Sequence, residues 1–387
     1  MIPRRNIIRN LQKALFEPAY ACKAFYRRFK SYLAYNFYSG KSTLPESLTL
    51  FLTYKCNLRC QMCGQWGEMG SSKKYSSQVI KEELSIELLE KLLNDVSGFK
   101  PNITLFGGEP LLYSEVEKLI IGIKKRNLHC CIITNGTMIS KYAQVFVENQ
   151  LDELSISIDG PEKIHDVVRG VNGTFSRISE GMDKLNKLKI QNKSKFPIIN
   201  IVCVISNANI KYLDEMIDVA EKFKAHTLNF HHLIFTDENT VKKHNEMFQK
   251  CFGASSLDWS GFAFKSLTEI NAKELLEKIN LINSRKKKVV VNFYPNFTGD
   301  EIKEYYANPD FISKGYSKKC MSPWVTAYIY PNGEVWPCLT LGYSVGNIQQ
   351  NKFTDIWNSK DFIAFRRTLK KECMFPICPK CTEFYRY

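Results

Sequence analysis

The chain has no apolar run of transmembrane length, so no segment is long enough to cross a bilayer as a helix. It also lacks a secretory apolar core behind its opening Met-Ile-Pro-Arg-Arg-Asn, which argues against export and for a cytoplasmic protein. Low-complexity tracts are missing. Acidic residues are nearly missing from the first 41 positions, where Glu17 stands alone against nine Lys and Arg. That segment carries +8 of the chain's net +15, which permits an anionic partner without demonstrating one. A content of 44% hydrophobic and 24% charged residues excludes a disordered or fibrous protein. At 387 residues the chain can build one barrel-sized domain and a smaller appendage.

What is present in excess is cysteine. Thirteen cysteines without a secretory signal point to metal rather than to disulfides. They are clustered. Cys56, Cys60 and Cys63 form one group, and Cys320, Cys338, Cys373, Cys378 and Cys381 form a second. Cys22, Cys130, Cys131, Cys203 and Cys251 are scattered, most of them among apolar neighbours, as expected of small inert hydrophobes.

Residues 1–45 read as a basic helical segment. Ile7, Ile8, Leu11, Leu15, Phe25, Tyr26, Phe29, Tyr32 and Leu33 recur at helical spacing, and Pro18 interrupts the pattern. Such a helix either packs on the main domain with a solvated basic face or lies on a membrane surface or partner. From residue 46 to 236 the pattern alternates strand and helix. Strands are expected at Ser47–Tyr54, Ile103–Phe106, Cys130–Thr134, Leu154–Ile158, Ile198–Ile205 and Leu228–Phe235, with amphipathic helices between them. Their apolar residues do not alternate strictly, as when both sheet faces are covered. The expected fold is α/β: a partial six-stranded TIM-like barrel, whose site lies at the C-terminal strand ends. Residues 237–319 read as a connecting region with a charged helix at Leu267–Lys288 and a loop-rich stretch at Asn292–Gly315. Residues 320–387 read as a small cysteine-rich α+β extension. Pro331-Asn332-Gly333 marks a hairpin between Val325–Tyr330 and Glu334–Pro337, and a helix follows at Phe353–Lys371.

Cys56-Asn-Leu-Arg-Cys60-Gln-Met-Cys63 directly follows the first strand. Three thiolates this close do not space themselves as core residues. Iron–sulfur clusters are normally held by four cysteines, and a fourth local one is missing, so one iron would stay open to chemistry. Zinc, with His231 as a distant fourth ligand, is the alternative occupant. Phe106-Gly107-Gly108-Glu109-Pro110 follows the second strand at the same face. The glycines permit close backbone approach to a ligand, and Glu109 offers a carboxylate suited to an ammonium group.

The two motifs together resemble the radical S-adenosylmethionine (SAM) superfamily. The resemblance implies a [4Fe-4S] cluster on Cys56, Cys60 and Cys63, with the open iron chelated by SAM. It implies that Gly107, Gly108, Glu109 and Pro110 form the segment that binds the methionine amino group. One electron then cleaves SAM to methionine and a 5′-deoxyadenosyl radical, which abstracts a hydrogen atom from substrate. Met62 stands where many members carry an aromatic residue. Asn135, Ser157 and Arg169 are further candidates for contact with SAM, although Asn135 and Asp159 equally suit turns and helix caps. His231 and His232 are neighbours on a strand, so only one of them can face the barrel interior.

Cys320, Cys338, Cys373, Cys378 and Cys381 are similar to the SPASM/twitch extension of radical SAM enzymes. A full SPASM domain uses seven cysteines for two clusters. With five, one auxiliary [4Fe-4S] cluster on Cys320, Cys338, Cys378 and Cys381 is expected, with Cys373 spare; a structural zinc is the alternative. The expected protein is therefore a cytosolic radical SAM oxidoreductase, served by an electron donor such as flavodoxin or ferredoxin. Its substrate would be a small molecule, a glycan, a lipid or a ribosomal peptide, and the lack of a visible peptide-leader module leans away from the peptide. A zinc-stabilised, basic nucleic-acid-binding protein would account for the charge but not for the βα rhythm or Gly107–Pro110.

Overall fold

A computed structural model describes residues 18–67, 69–255, 258–264 and 269–386. The expected helical turns around Ile7–Leu15, and the start of the charged helix at 267–268, lie outside the described residues. The centre of the molecule is one nine-stranded sheet in the order β7-β6-β5-β4-β3-β2-β1-β8-β9. Its strands are β1 (Ser47–Phe51), β2 (Asn102–Phe106), β3 (Cys130–Thr134), β4 (Glu153–Ser157), β5 (Ile198–Val204), β6 (Thr227–His231), β7 (Val290–Tyr294), β8 (Thr326–Ile329) and β9 (Val335–Trp336). All neighbours pair in parallel except β8 and β9, which form an antiparallel hairpin. The sheet does not close: β7 and β9 are its two edges. It is the partial TIM-like barrel that the βα rhythm implies.

The helices form for legible reasons. Residues Ile86–Val96 make a helix capped by Ser85, whose hydroxyl accepts from the backbone N–H of Leu88. Its Leu89, Leu92, Leu93 and Val96 repeat at helical spacing and are buried. Thr298 and Glu301 cap the helix Gly299–Ala307 reciprocally. The basic run after Ala272–Ser284 acts as a helix end: Lys287 donates to the carbonyl of Ile282, and Arg285 pairs with Asp218 at 2.7 Å.

Four local expectations change. The stretch read as loop-rich, Asn292–Gly315, contains most of β7 and a nine-residue helix, Gly299–Ala307. β7 is short and half-exposed, so it lacks the apolar run that marks a buried strand. The segment after the fourth strand, read as a loop, holds the helix Glu162–Arg169, which Gly170 ends in the left-handed conformation. The helix read over Phe353–Lys371 is two helices, Phe353–Trp357 and Lys360–Glu372, because Ser359 caps the second one. Burial on the strands alternates residue by residue, most clearly on β2 to β6. One face is sealed by helices while the inner face stays half open. The apolar Ile and Val at inner positions of β5 hide this period in the sequence.

The cysteine-rich region is not a detached appendage. β8 pairs in register with β1, with Thr49 opposite Tyr328. The same sheet that positions the first cysteine group therefore positions the second.

Candidate active site

Parallel strands bring the loops after β1, β2, β3 and β4 to one edge of the sheet. The loop after β1 carries Cys56, Cys60 and Cys63. Its backbone is held on one side by the helix Glu162–Arg169: the N–H groups of Arg59 and Gln61 donate to the carbonyls of Arg169 and Val168. Gly170 allows this approach, since a Cβ there would meet the Arg59 carbonyl at 2.5 Å. On the other side Asn57 donates to Thr137 at 2.9 Å and accepts from Asn135 at 2.8 Å.

Each thiol has a polar neighbour. The Leu58 N–H points at Cys56 Sγ at 3.5 Å, and the Trp66 N–H at Cys63 Sγ at 3.3 Å. Arg169 Nη1 lies 3.6 Å from Cys60 Sγ. Burial pushes the Cys56 thiol up to about 12. It raises Cys60 as well, with Arg169 opposing the rise. Three thiols that share one loop, with N–H and guanidinium donors aimed at sulfur, fit a cluster that accepts hydrogen bonds at its sulfurs.

Gly107 and Gly108 lie flat against the end of β1. A Cβ on Gly107 would meet the Thr53 carbonyl at 2.6 Å, and one on Gly108 the Lys55 carbonyl at 2.3 Å. Gly107 also takes φ +145°, which side chains disfavour. Glu109 is 1% exposed. Its carboxylate accepts from the Leu111 N–H at 3.0 Å, the Thr134 hydroxyl at 2.7 Å and the Asn135 N–H at 2.7 Å. Burial raises this carboxyl, and those hydrogen bonds oppose the rise. Glu109 thus ties the end of β2 to the end of β3. Its acceptor capacity is largely taken up by the protein itself.

Asn135 is likewise engaged. Its side chain bonds Asn57 and Thr137, so it anchors the cysteine loop. Ser157 ends β4 on the half-open inner face. Arg169 pairs with Asp159 at 2.6 Å, and Asp159 is fully buried and also accepts from the Val204 N–H. Arg169, a SAM candidate in the sequence, is thus engaged by Asp159, and Asn57, which no motif marks, anchors the cysteine loop. No sequence signal marks an asparagine inside a cysteine motif as an anchor. Of the two histidines, His231 faces inward beside Tyr294, at 5.4 Å between ring centroids. His232 is buried on the other side against Tyr306, 2.9 Å away.

Four of the five C-terminal cysteines come together. Cys320, Cys338, Cys378 and Cys381 line one cavity, closed by Trp259 and Phe375 among others, while Cys373 is exposed and stands apart. Burial pushes Cys378 up to about 11 and Cys381 to about 12. Among the described residues, no three His, Cys, Asp or Glu side chains close on a single ion. Four thiols around one cavity could together hold a cluster.

An aromatic cluster connects the end of β1 with β8 and β9. Tyr54, two residues before Cys56, packs on Phe51 and Tyr75. Phe51 stacks on Tyr330, and Tyr330 on Trp336 at 3.7 Å. Tyr328 belongs to this cluster and also lines the cysteine cavity. Tyr75 donates its hydroxyl to the buried Asp258.

Residues 50–238 match the model of the radical SAM superfamily, and residues 320–382 match the SPASM iron–sulfur cluster-binding domain. The chain belongs to the radical SAM superfamily. It is a radical SAM enzyme with a SPASM domain, and its cofactors are SAM and [4Fe-4S] clusters. That membership answers the zinc alternatives. The chain is similar to an AdoMet-dependent heme synthase of Nitratidesulfovibrio vulgaris, with 25% identity over 81% of this chain and 79% of that one. It is similar to the sporulation killing factor maturation protein SkfB of Bacillus subtilis, with 26% identity over 81% of this chain and 65% of that one. In fold it resembles Streptococcus suis SuiB, solved with its precursor peptide SuiA, at TM-score 0.61 and 14% identity over 89% of this chain and 72% of that one. It also resembles anSMEcpe with bound AdoMet, at TM-score 0.54 and 22% identity over 88% of this chain and 84% of that one. No helix among the described residues is long and apolar enough to cross a membrane.

Proposed function

We propose that this radical SAM enzyme acts on a peptide, oxidising it at an unactivated C–H. The observation that carries the substrate class is the inner face of the sheet. Asn200 donates to Glu153, Thr227 to Asn200, Asn229 to Thr227 and Asn292 to Asn229, a hydrogen-bonded row across β4 to β7. Ser155, Ser157, His231 and Tyr294 stand above it, half exposed, toward the cysteine edge. Amide, hydroxyl and imidazole groups match the donors and acceptors of a peptide. The names of SkfB and SuiB, which concern peptide maturation and a precursor peptide, support the same class.

Cys56, Cys60 and Cys63 would hold the catalytic cluster, and Cys320, Cys338, Cys378 and Cys381 the auxiliary one. When bound, the first cluster and SAM supply the 5′-deoxyadenosyl radical that takes the hydrogen atom. The chain's own part is positional. Gly107 and Gly108 let the loop after β2 pack directly on the Thr53 and Lys55 carbonyls, Asn57 and Asn135 fix the cysteine loop, and Arg169 places positive charge beside Cys60. The C-terminal site, next to β1 through β8, would accept the electron left on the substrate. A reducing cytoplasm and a flavodoxin- or ferredoxin-type donor suit thirteen cysteines without a disulfide.

The test is 5′-deoxyadenosine formation by anaerobic enzyme with panels of peptides, sugars and tetrapyrroles. A peptide should raise it and emerge lighter by one hydrogen pair. Stimulation by a tetrapyrrole or sugar alone would overturn the peptide reading and leave the radical SAM assignment standing.

A further inference from the structure

The helix Pro18–Phe37 packs the wrong way round for a surface helix. Its inward face is small: Ser31, Ala34 and Tyr35 are buried, and Tyr35 meets Trp324 edge-on at 4.7 Å between centroids. Arg27 fastens it by donating to the carbonyls of Phe99 and Lys100, and Arg28 by pairing with Glu46 at 3.4 Å. The outward side is aromatic. Phe25 is 73% exposed, Phe29 49%, Tyr32 54% and Phe37 73%. At helical spacing Phe25, Phe29 and Tyr32 share one stripe, with Tyr26 and Phe37 beside it. An ordinary surface helix turns such residues inward and its charges outward.

The helix and the turn after it carry only basic charge, and Glu46 meets Arg28 from outside them. Residues 18–41 contain Lys23, Arg27, Arg28, Lys30 and Lys41 and no Asp or Glu. Lys30 lies over the Tyr26 ring at 4.4 Å. From the SPASM region, Arg367 donates to the carbonyl of Ser39, and Lys370 to that of Tyr35. Lys319, exposed, reaches over the Tyr35 ring at 5.8 Å. An aromatic stripe bordered by lysines is what an interfacial helix presents to anionic headgroups. A second copy of this basic surface would repel it, whereas an anionic lipid surface complements both its charge and its rings.

We propose that this helix docks the enzyme on an anionic lipid surface, with Phe25, Phe29 and Phe37 entering the headgroup boundary and Lys30 and Lys41 meeting lipid phosphates and carboxylates. The enzyme lies on the membrane rather than spanning it. The inference stands whether or not the substrate is a peptide, because it uses no residue of the site.

The test is flotation of the full chain with phosphatidylcholine vesicles, with and without about a quarter phosphatidylserine. Binding is expected only with phosphatidylserine, and it should weaken as salt rises. Lys30→Glu with Lys41→Glu should lower the partition coefficient more than tenfold, since each basic residue contributes about fivefold. Phe25→Ser with Phe29→Ser should abolish binding even at low salt. Both double variants should keep the wild-type melting curve and SAM cleavage, which separates docking from misfolding. Equal recovery on neutral vesicles, no recovery at low salt, or a dimer dissolved by the same Phe substitutions would each overturn the proposal.

Discussion

Replacing Arg169 by Ala removes the partner of a carboxylate that has no access to water. The Arg169 side chain is 11% exposed and that of Asp159 0%, and their N···O distance is 2.6 Å. Breaking a buried pair by deleting one member costs roughly 3–5 kcal/mol, because a charge is left uncompensated. The Val204 N–H still donates to Asp159, which places the expected loss toward the lower end. The loss should depend on pH, and its sign is fixed. Burial already raises the Asp159 carboxyl, and Arg169 is the main group holding it down. Without Arg169 the folded-state pKa rises further above the unfolded value, so the folded variant binds a proton more tightly than its unfolded chain. Stability is then present at acid pH and lost as pH rises through the folded pKa. The gap between wild type and Arg169→Ala should therefore be widest at neutral pH and shrink toward pH 4. Arg169→Met with Asp159→Asn, which leaves no buried charge, should recover part of the loss. Urea unfolding of the metal-free chains across that pH range measures it. A gap that is small at neutral pH, or that grows on acidification, would refute the argument. In the loaded enzyme the same change removes positive charge beside Cys60, so the catalytic cluster's reduction potential should fall in redox titration.

Glu109→Gln should lower the melting temperature rather than only SAM affinity, because an NH2 group would face N–H or O–H donors; about 1–3 kcal/mol is at stake. A variant with native stability and weak SAM binding would return Glu109 to a direct ligand role. Cys378→Ala with Cys381→Ala should remove about four of about eight irons and keep some SAM cleavage while losing oxidised product. Full product yield would make that region structural. Cys373→Ala should leave the iron content unchanged, since Cys373 is exposed and away from the cavity. Asn57→Ala should loosen the cysteine loop and slow cluster loading, read as iron retained after gel filtration; full retention would show that the Asn57–Asn135 contact is dispensable.

The βα rhythm and both cysteine groups were legible because each rests on local signals: apolar runs, caps, and thiols at chelating spacings. The expectation that Cys320, Cys338, Cys378 and Cys381 group without Cys373 rested on spacing and resemblance, and those four line one cavity while Cys373 is exposed. What was illegible depends on partners distant in sequence. Nothing near Asp159 announces that Arg169 turns back to meet it, or that Arg169 then reaches Cys60, 109 positions earlier. Glu109 looks like a ligand for an ammonium group in sequence because the donors that occupy it, Thr134 and Asn135, arrive from the next strand. β7 escaped notice because a half-exposed edge strand carries neither alternation nor a continuous apolar run. The joining of β8 to β1 could not be read at all, since pairing between strands almost 280 residues apart leaves no local trace.

The most direct measurement is reductive SAM cleavage by anaerobically reconstituted protein, compared with a variant in which Cys56, Cys60 and Cys63 are all Ala. The wild-type chain should form 5′-deoxyadenosine, and the variant should form none while keeping its circular dichroism and the iron of the C-terminal site. Undiminished 5′-deoxyadenosine from the variant, or none from an iron-loaded wild type, would contradict the assignment of the loop after β1 as the catalytic centre.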